Sequence, residues 1–250
     1  MKKLQLAESA GFCFGVRRSV DMAEKILKER GSCLSFGELI HNEDEISRLK
    51  SMGLRIVHSP DEVKAGEHVI IRAHGVSRKL YDELEATGAE ISDATCPKVK
   101  AIHTIVGRAS EEGRFVIIIG MRKHPEVEAI CGRCGDHQVF ENAGELNDWL
   151  QQRPDFWEKP ITVVVQTTQT SSNFTECCSI IKKLCTNAKI SDTICSATST
   201  RQEEAARLAA QCDAMVVIGG RHSANSYHLA EICRKSCDNV QFIETADELE

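Results

Sequence analysis

Residues 91–109, ISDATCPKVKAIHTIVGRA, run from an apolar, strand-like start through a cysteine into a helix-like stretch. The layout returns at residues 8–27, ESAGFCFGVRRSVDMAEKIL, and at residues 190–209, ISDTICSATSTRQEEAARLA. Each copy sets one thiol, Cys13, Cys96 or Cys195, where a strand gives way to a helix. Strand, short polar loop, helix is the grammar of the βαβ unit, and its repetition predicts parallel sheet. Segments such as HVIIRA, RFVIIIG, ITVVVQT and AMVVIG are dominated by the Val, Ile and Phe that strands favour. Between them, stretches such as SRKLYDELEATG return apolar residues at helical spacing and close on glycine. A further strand is expected over QLAE, residues 5–8.

A second repeat supports the same fold. Residues 114–132, RFVIIIGMRKHPEVEAICG, and 214–233, AMVVIGGRHSANSYHLAEIC, share a buried strand, Ile-Gly, a basic residue, a polar cluster and a helix. The polar cluster falls where a strand's carboxyl end meets a helix amino terminus, the ligand-binding edge of parallel α/β sheets. Free N–H groups and the helix dipole there favour anions, phosphate above all. The two repeats predict an α/β protein of three similar lobes with mostly parallel sheets around a pseudo-threefold axis. The expected lobes are residues 14–95, residues 96–193, and residues 1–13 joined to 194–250.

Composition narrows the class. The chain has 250 residues, 42% hydrophobic and 27% charged, with a formal charge of −6. An acidic balance argues against nonspecific nucleic-acid binding, which needs a basic face. The start is too polar for a secretory signal, and the longest apolar run is too short to span a bilayer. A soluble cytoplasmic protein with no nucleic-acid or membrane partner is expected. Twelve cysteines is a high count. In a reducing compartment they are small packing residues, metal ligands or nucleophiles. Cys177, Cys185, Cys212, Cys233 and Cys237 lie in helix-like patterns and read as packing; Cys131 and Cys134 form a lone CxxC, weak evidence for redox or zinc chemistry.

Cys13, Cys96 and Cys195 are different, because their shared setting points to a common site. Three soft thiolates suit an iron–sulfur cluster with four irons, one of them left open. A helix amino terminus lowers a thiol pKa and so favours metallation. Other polar residues fall at the same kind of turn: His41, His74, His124 with Glu126, Thr167, and Ser223 with Asn225. Read singly, Glu126 is a first-turn helix acid, Ser223 and Asn225 are N-caps, and Thr167 is a strand former. His58, His68, His103, His137 and His228 read as surface or capping residues.

Taken in order, GFCFGV (11–16), ELIHN (38–42), AHGVS (73–77), DATCP (93–97), GMRKHPEVE (120–128), QTTQT (166–170), DTICSATSTRQEEA (192–205) and NSYHLAE (225–231) resemble the IspH/LytB family. These are the 4-hydroxy-3-methylbut-2-enyl diphosphate reductases of the non-mevalonate isoprenoid pathway. The resemblance covers nearly the whole chain. It implies three lobes around a central 4Fe-4S cluster bound by Cys13, Cys96 and Cys195, with the substrate's hydroxyl oxygen at the open iron. It implies reductive dehydroxylation of the allylic alcohol to isopentenyl and dimethylallyl diphosphates, with reduced ferredoxin or flavodoxin as electron donor. His41, His74, Ser223 and Asn225 match the residues that hold the diphosphate; His124, Glu126 and Thr167 match the proton-delivery group, with Glu126 as the acid.

Two departures are visible. Ser223-Ala224-Asn225 stands where the family often has Ser-Ser-Asn, and the chain stops at FIETADELE where family members continue into another strand and a phosphate loop. The expectation is a third lobe that is incomplete at its carboxyl end. Competing readings are an open-iron dehydratase of the quinolinate synthase type, a non-catalytic iron–sulfur protein, and a zinc site on the same thiolates. HPEVE and QTTQT favour the reductase.

Overall fold

The computed structural model describes residues 3–249. The chain opens with α1 (Phe14–Arg30), β1 (Cys33–Phe36), α2 (Glu43–Ser51), β2 (Leu54–Val57), β3 (His68–Ile71), α3 (Arg78–Ala86) and β4 (Glu90–Asp93). It continues with α4 (Pro97–Glu111), β5 (Phe115–Ile119), α5 (Pro125–Cys131), β6 (His137–Phe140), α6 (Ala143–Gln151), β7 (Ile161–Val165), α7 (Ser171–Leu184) and β8 (Ala188–Ile190). The last elements are α8 (Ser196–Ala209), β9 (Met215–Ile218), α9 (Ala224–Arg234) and β10 (Val240–Ile243). The protein is α/β, with its strands gathered into three separate sheets.

The first two sheets share one topology, β2-β1-β3-β4 and β6-β5-β7-β8, and every pairing is parallel. The apolar runs explain which strands are central. HVII, FVIII and ITVVV are buried at every position, as a parallel strand covered on both faces requires. Alternation then divides the core of the second sheet. Ile117, Ile119, Val163 and Val165 pack against α6 and α7, while Val116, Ile118 and Val164 pack against Ile102, Val106, Val127 and Ile130 of α4 and α5. Burying one such side chain contributes roughly 1.5–3 kcal/mol. In both sheets the chain reverses its direction of growth between the two central strands. That switch point opens a crevice beyond their carboxyl ends, which is where this fold places ligands.

The third sheet contains β9 and β10, paired in parallel. Val216 and Ile218 of β9 remain 45% and 69% exposed, so one face of this sheet carries little cover among the described residues. Residues 5–8 form no strand. Glu8 and Ser9 instead donate main-chain N–H groups to the Glu204 carboxylate on α8, and Arg201 donates to the Ser9 carbonyl at 3.0 Å. This ties the approach to Cys13 onto the helix that Cys195 opens.

The lobes meet closely at glycines. A Cβ on Gly132, after α5, would collide with Ser77 ahead of α3; one on Gly220, after β9, would collide with the His41 carbonyl. A Cβ on Gly15 of α1 would come within 2.6 Å of the Cys96 sulfur.

Candidate active site

The switch points carry the polar residues. His41 follows β1 and His74 follows β3; His124 follows β5 and Thr167 follows β7. The three imidazoles converge between the first two sheets, with ring centroids 4.6 Å apart for His41–His74, 5.3 Å for His74–His124 and 5.8 Å for His41–His124. One nitrogen of each lies within 4.8 Å of the others. Burial pushes all three below the ordinary imidazole value, His124 to about 3, so the rings are neutral near pH 7. Nε2 of His41 and Nδ1 of His74 are buried and have no hydrogen-bond partner, and Nδ1 of His41 has only the Glu38 carboxylate 3.5 Å away. Buried polar atoms are nearly always paired, so unpaired ones turned toward a crevice are available for a ligand.

His124 caps α5 and accepts the Glu126 N–H at Nδ1, 3.1 Å away. In a neutral ring this leaves the proton on Nε2, a donor for an incoming anion. Glu126 is 2% exposed, and its carboxylate accepts two hydrogen bonds from Thr167. Burial raises its pKa, and the two Thr167 bonds oppose that shift. The result is a carboxyl group held toward its protonated form by a dry environment. Gln166, fully buried, braces this corner: it accepts from the Met121 N–H at 2.9 Å and donates to the Thr168 hydroxyl at 2.8 Å.

Ser223 caps α9, accepting from the Ser226 N–H at 3.3 Å and from its hydroxyl at 3.1 Å. Asn225 occupies the first turn of the same helix, part-buried. Ser223 donates its own N–H to Gly220, whose backbone abuts the His41 carbonyl. The amino end of α9 therefore borders the imidazole cradle.

Cys13, Cys96 and Cys195 are the N-cap residues of α1, α4 and α8. All three have extended backbones, with φ/ψ of −69/165, −57/135 and −71/134, and none spends its side chain on a cap bond. Ser, Thr, Asp or Asn ordinarily holds this position to satisfy the first helical N–H groups. Three free thiols there are a poor choice for capping and a good one for ligation. The Cys96 thiol feels both Cys13 and Cys195 electrostatically, which puts it in the neighbourhood of the other two. Its pKa is raised, chiefly by burial, against the N–H groups of Lys98 and Val99. The expected lowering at a helix terminus thus fails at Cys96, because desolvation outweighs the helix end. Soft donors that are partly buried, uncapped and within electrostatic reach of one another at Cys96 fit an iron–sulfur cluster.

The thiol sites connect to the imidazole and carboxyl sites through the main chain. The Cys96 N–H donates to the Ala73 carbonyl at 2.9 Å, next to His74, and the Cys195 N–H donates to the Thr167 carbonyl at 3.0 Å. The CxxC pair does not join them. Burial pushes the Cys131 and Cys134 thiols up to about 11 and about 12, unsuited to redox exchange. Cys177, Cys185, Cys233 and Cys237 are buried packing residues. His68 and His103 are buried as well, and His228, part-buried, donates from Nδ1 to the Thr168 carbonyl at 2.7 Å, so none of these three is a surface residue. Arg72 and His222 belong to the site's surroundings yet carry no signal in the sequence beyond their closeness to His74 and Ser223, whereas Gln166 and His228 lie within the QTTQT and NSYHLAE motifs without being singled out.

Fold and site together define a class: parallel α/β lobes with polar residues at their switch points and uncapped helix-terminal thiols tied to the same loops through the main chain. The chain belongs to the LytB protein family, whose model matches residues 4–250. It is 39% identical over 251 residues to the 4-hydroxy-3-methylbut-2-enyl diphosphate reductase of Caldanaerobacter subterraneus subsp. tengcongensis, covering 99% of this chain and 85% of the relative. It is 39% identical over 255 residues to the enzyme of the same name from Aquifex aeolicus, covering 100% and 86%. A solved structure of (E)-4-hydroxy-3-methyl-but-2-enyl diphosphate reductase, described as the terminal enzyme of the non-mevalonate pathway, superposes with a TM-score of 0.72 at 38% identity over 98% of this chain and 86% of that one. The E-1-hydroxy-2-methyl-but-2-enyl-4-diphosphate reductase from Plasmodium falciparum superposes with a TM-score of 0.88 at 25% identity over 96% and 76%. No helix among the described residues is long and apolar enough to cross a membrane.

Proposed function

We propose that this chain reduces (E)-4-hydroxy-3-methylbut-2-enyl diphosphate to isopentenyl and dimethylallyl diphosphates, consuming two electrons and two protons and releasing water. The observation that carries this reading is Glu126: a buried carboxyl with a raised pKa, bonded to Thr167, beside an imidazole cradle and next to the loops that bear uncapped thiols. Loss of an allylic hydroxyl needs a proton at the departing oxygen and an anion grip at the other end of the molecule. Cys13, Cys96 and Cys195 would hold a 4Fe-4S cluster with one iron free of protein ligands, supplying electrons and a Lewis-acid site.

The rest falls to the protein's own groups. His41 and His74 bring unpaired nitrogens to the diphosphate, and His124 donates from Nε2. Ser223 and Asn225 add the amino end of α9, where N–H groups and the helix dipole favour anionic oxygens. Glu126 stores the proton. The Thr167 hydroxyl, 2.6 Å from Glu126 Oε2, can receive it and pass another to the substrate, since a hydroxyl both accepts and donates. Burial of both residues keeps bulk water from competing.

The lobe division we propose is residues 14–95, residues 96–193, and residues 1–13 with 194–250, so that each lobe presents one thiol. Reduced ferredoxin or flavodoxin is the proposed electron source, and the cytoplasm the proposed compartment. The test is anaerobic reconstitution, a count of iron and sulfide, and turnover with reduced methyl viologen. A fully loaded protein that never consumes the allylic diphosphate would sink the proposal.

A further inference from the structure

The cradle contains a cation. Arg72 sits just beyond β3, two residues before His74. Its guanidinium lies against the main chain of Gly37, where a Cβ would come within 2.7 Å of Nη1. Gly37 in turn begins the loop that carries His41, so Arg72 is wedged between the two histidine-bearing loops. Nε is sealed from solvent and has no hydrogen-bond partner among the described residues. Glu38 and Glu128 are its carboxylate neighbours electrostatically, but neither closes an ion pair with it. Glu38 turns instead toward His41 Nδ1, 3.5 Å away. The Arg72 charge reaches all three imidazoles.

A guanidinium does not shed its proton in a protein, so burial leaves it charged. A desolvated charge without a partner is strongly unfavourable, and native structures resolve it by pairing. Neutral histidines offer dipoles to an anion but no net charge. The cradle therefore has several neutral donors and one part-buried cation, Arg72, with which no carboxylate among the described residues closes an ion pair.

We infer that Arg72 is an anion-binding residue of the cradle, gripping the diphosphate group of the ligand alongside His41, His74 and His124. This rests on the diphosphate reading above and adds to it the group that supplies positive charge. The guanidinium fork matches two phosphate oxygens at once, which a lysine point charge does not.

The test uses cluster-loaded protein and inorganic pyrophosphate as the probe, measured by calorimetry and by competition with substrate. Charge-assisted hydrogen bonds of this kind predict that Arg72→Met weakens pyrophosphate binding about 10- to 100-fold. Arg72→Lys should recover part of the loss, and the ionic-strength dependence of binding should flatten in Arg72→Met. In turnover the defect should fall on KM more than on kcat. If Arg72→Met does not fold, Arg72→Gln is measured against the same expectation. Pyrophosphate affinity within about twofold of wild type in a folded variant overturns the inference. Wild-type protein that binds pyrophosphate through Arg72 yet never reduces the allylic diphosphate would instead defeat the reductase reading and leave this one standing.

Discussion

Thr167 donates both its main-chain N–H and its hydroxyl to Glu126, each at 2.6 Å, one to each carboxylate oxygen. The carboxyl is thus fixed in orientation by the residue we propose as its proton relay. Glu126→Gln keeps the shape and removes the proton. Turnover should fall about a hundred- to ten-thousand-fold while iron and sulfide content stays at the wild-type level. Turnover near wild type would show the acid to lie elsewhere.

The same carboxyl has a pH signature. Its folded pKa is raised from 4.5, so its contribution to stability is present below that value and is lost as pH climbs through the raised one. Glu126→Gln has no such loss. Its melting temperature relative to wild type should therefore rise as pH is taken from 4.5 toward 8. A constant difference across that range would contradict the burial argument.

Buried histidines act in the opposite direction. His103 is lowered to about 4 and His124 to about 3, each chiefly by burial, and His41 and His74 are lowered too. A depressed imidazole contributes stability that is complete above 6.5 and is lost as pH falls through the folded value. Urea unfolding should show stability dropping steadily below pH 6.5. Replacing His103 with Gln should reduce that slope without touching the cradle directly.

Gly15 stands in the first turn of α1 with the Cys96 sulfur opposite. Alanine suits a helix better than glycine by about 1 kcal/mol. Gly15→Ala should nonetheless lose cluster, because the new methyl displaces the Cys96 thiol. Iron per chain should fall well below wild type while far-ultraviolet circular dichroism is retained.

Gln166→Leu removes the acceptor for the Met121 N–H and the donor to Thr168, both part-buried bonds. Leaving such groups unmet costs about 1–3 kcal/mol each. Because both bonds are part-buried, chemical denaturation should register a combined loss of about 1–3 kcal/mol, with turnover reduced because both site loops lose their brace.

The strands were readable because parallel sheets bury both faces of their central strands, so HVII, FVIII and ITVVV announce themselves as unbroken apolar runs. The QLAE segment misled for a related reason. Leu6 and Ala7 give it an apolar middle, but a strand needs a partner, and Leu6 is 82% exposed. Thiol and histidine positions were legible wherever a motif recurred at a strand–helix turn. Arg72 and Gln166 follow no recurrence; their importance comes from what surrounds them in space. Burial of His68 and His103 was hidden for the same reason, since a single polar residue in an amphipathic stretch does not say which way it faces. At Cys96 the helix terminus was foreseen and the desolvation was not, because solvent exclusion depends on Gly15 and the neighbouring lobes.

Gly15, Gly132 and Gly220 have backbone angles that any residue accepts, and each is small only because a neighbouring lobe presses on it. The fold's joints are written as missing carbons. Anyone recombining this protein with a homologue should treat each glycine and the residue it faces as one inherited unit: Gly15 with Cys96, Gly132 with Ser77, Gly220 with the His41 loop. Crossovers that keep those pairs together should yield soluble chimeras, and those that part them should fail even where every strand is intact.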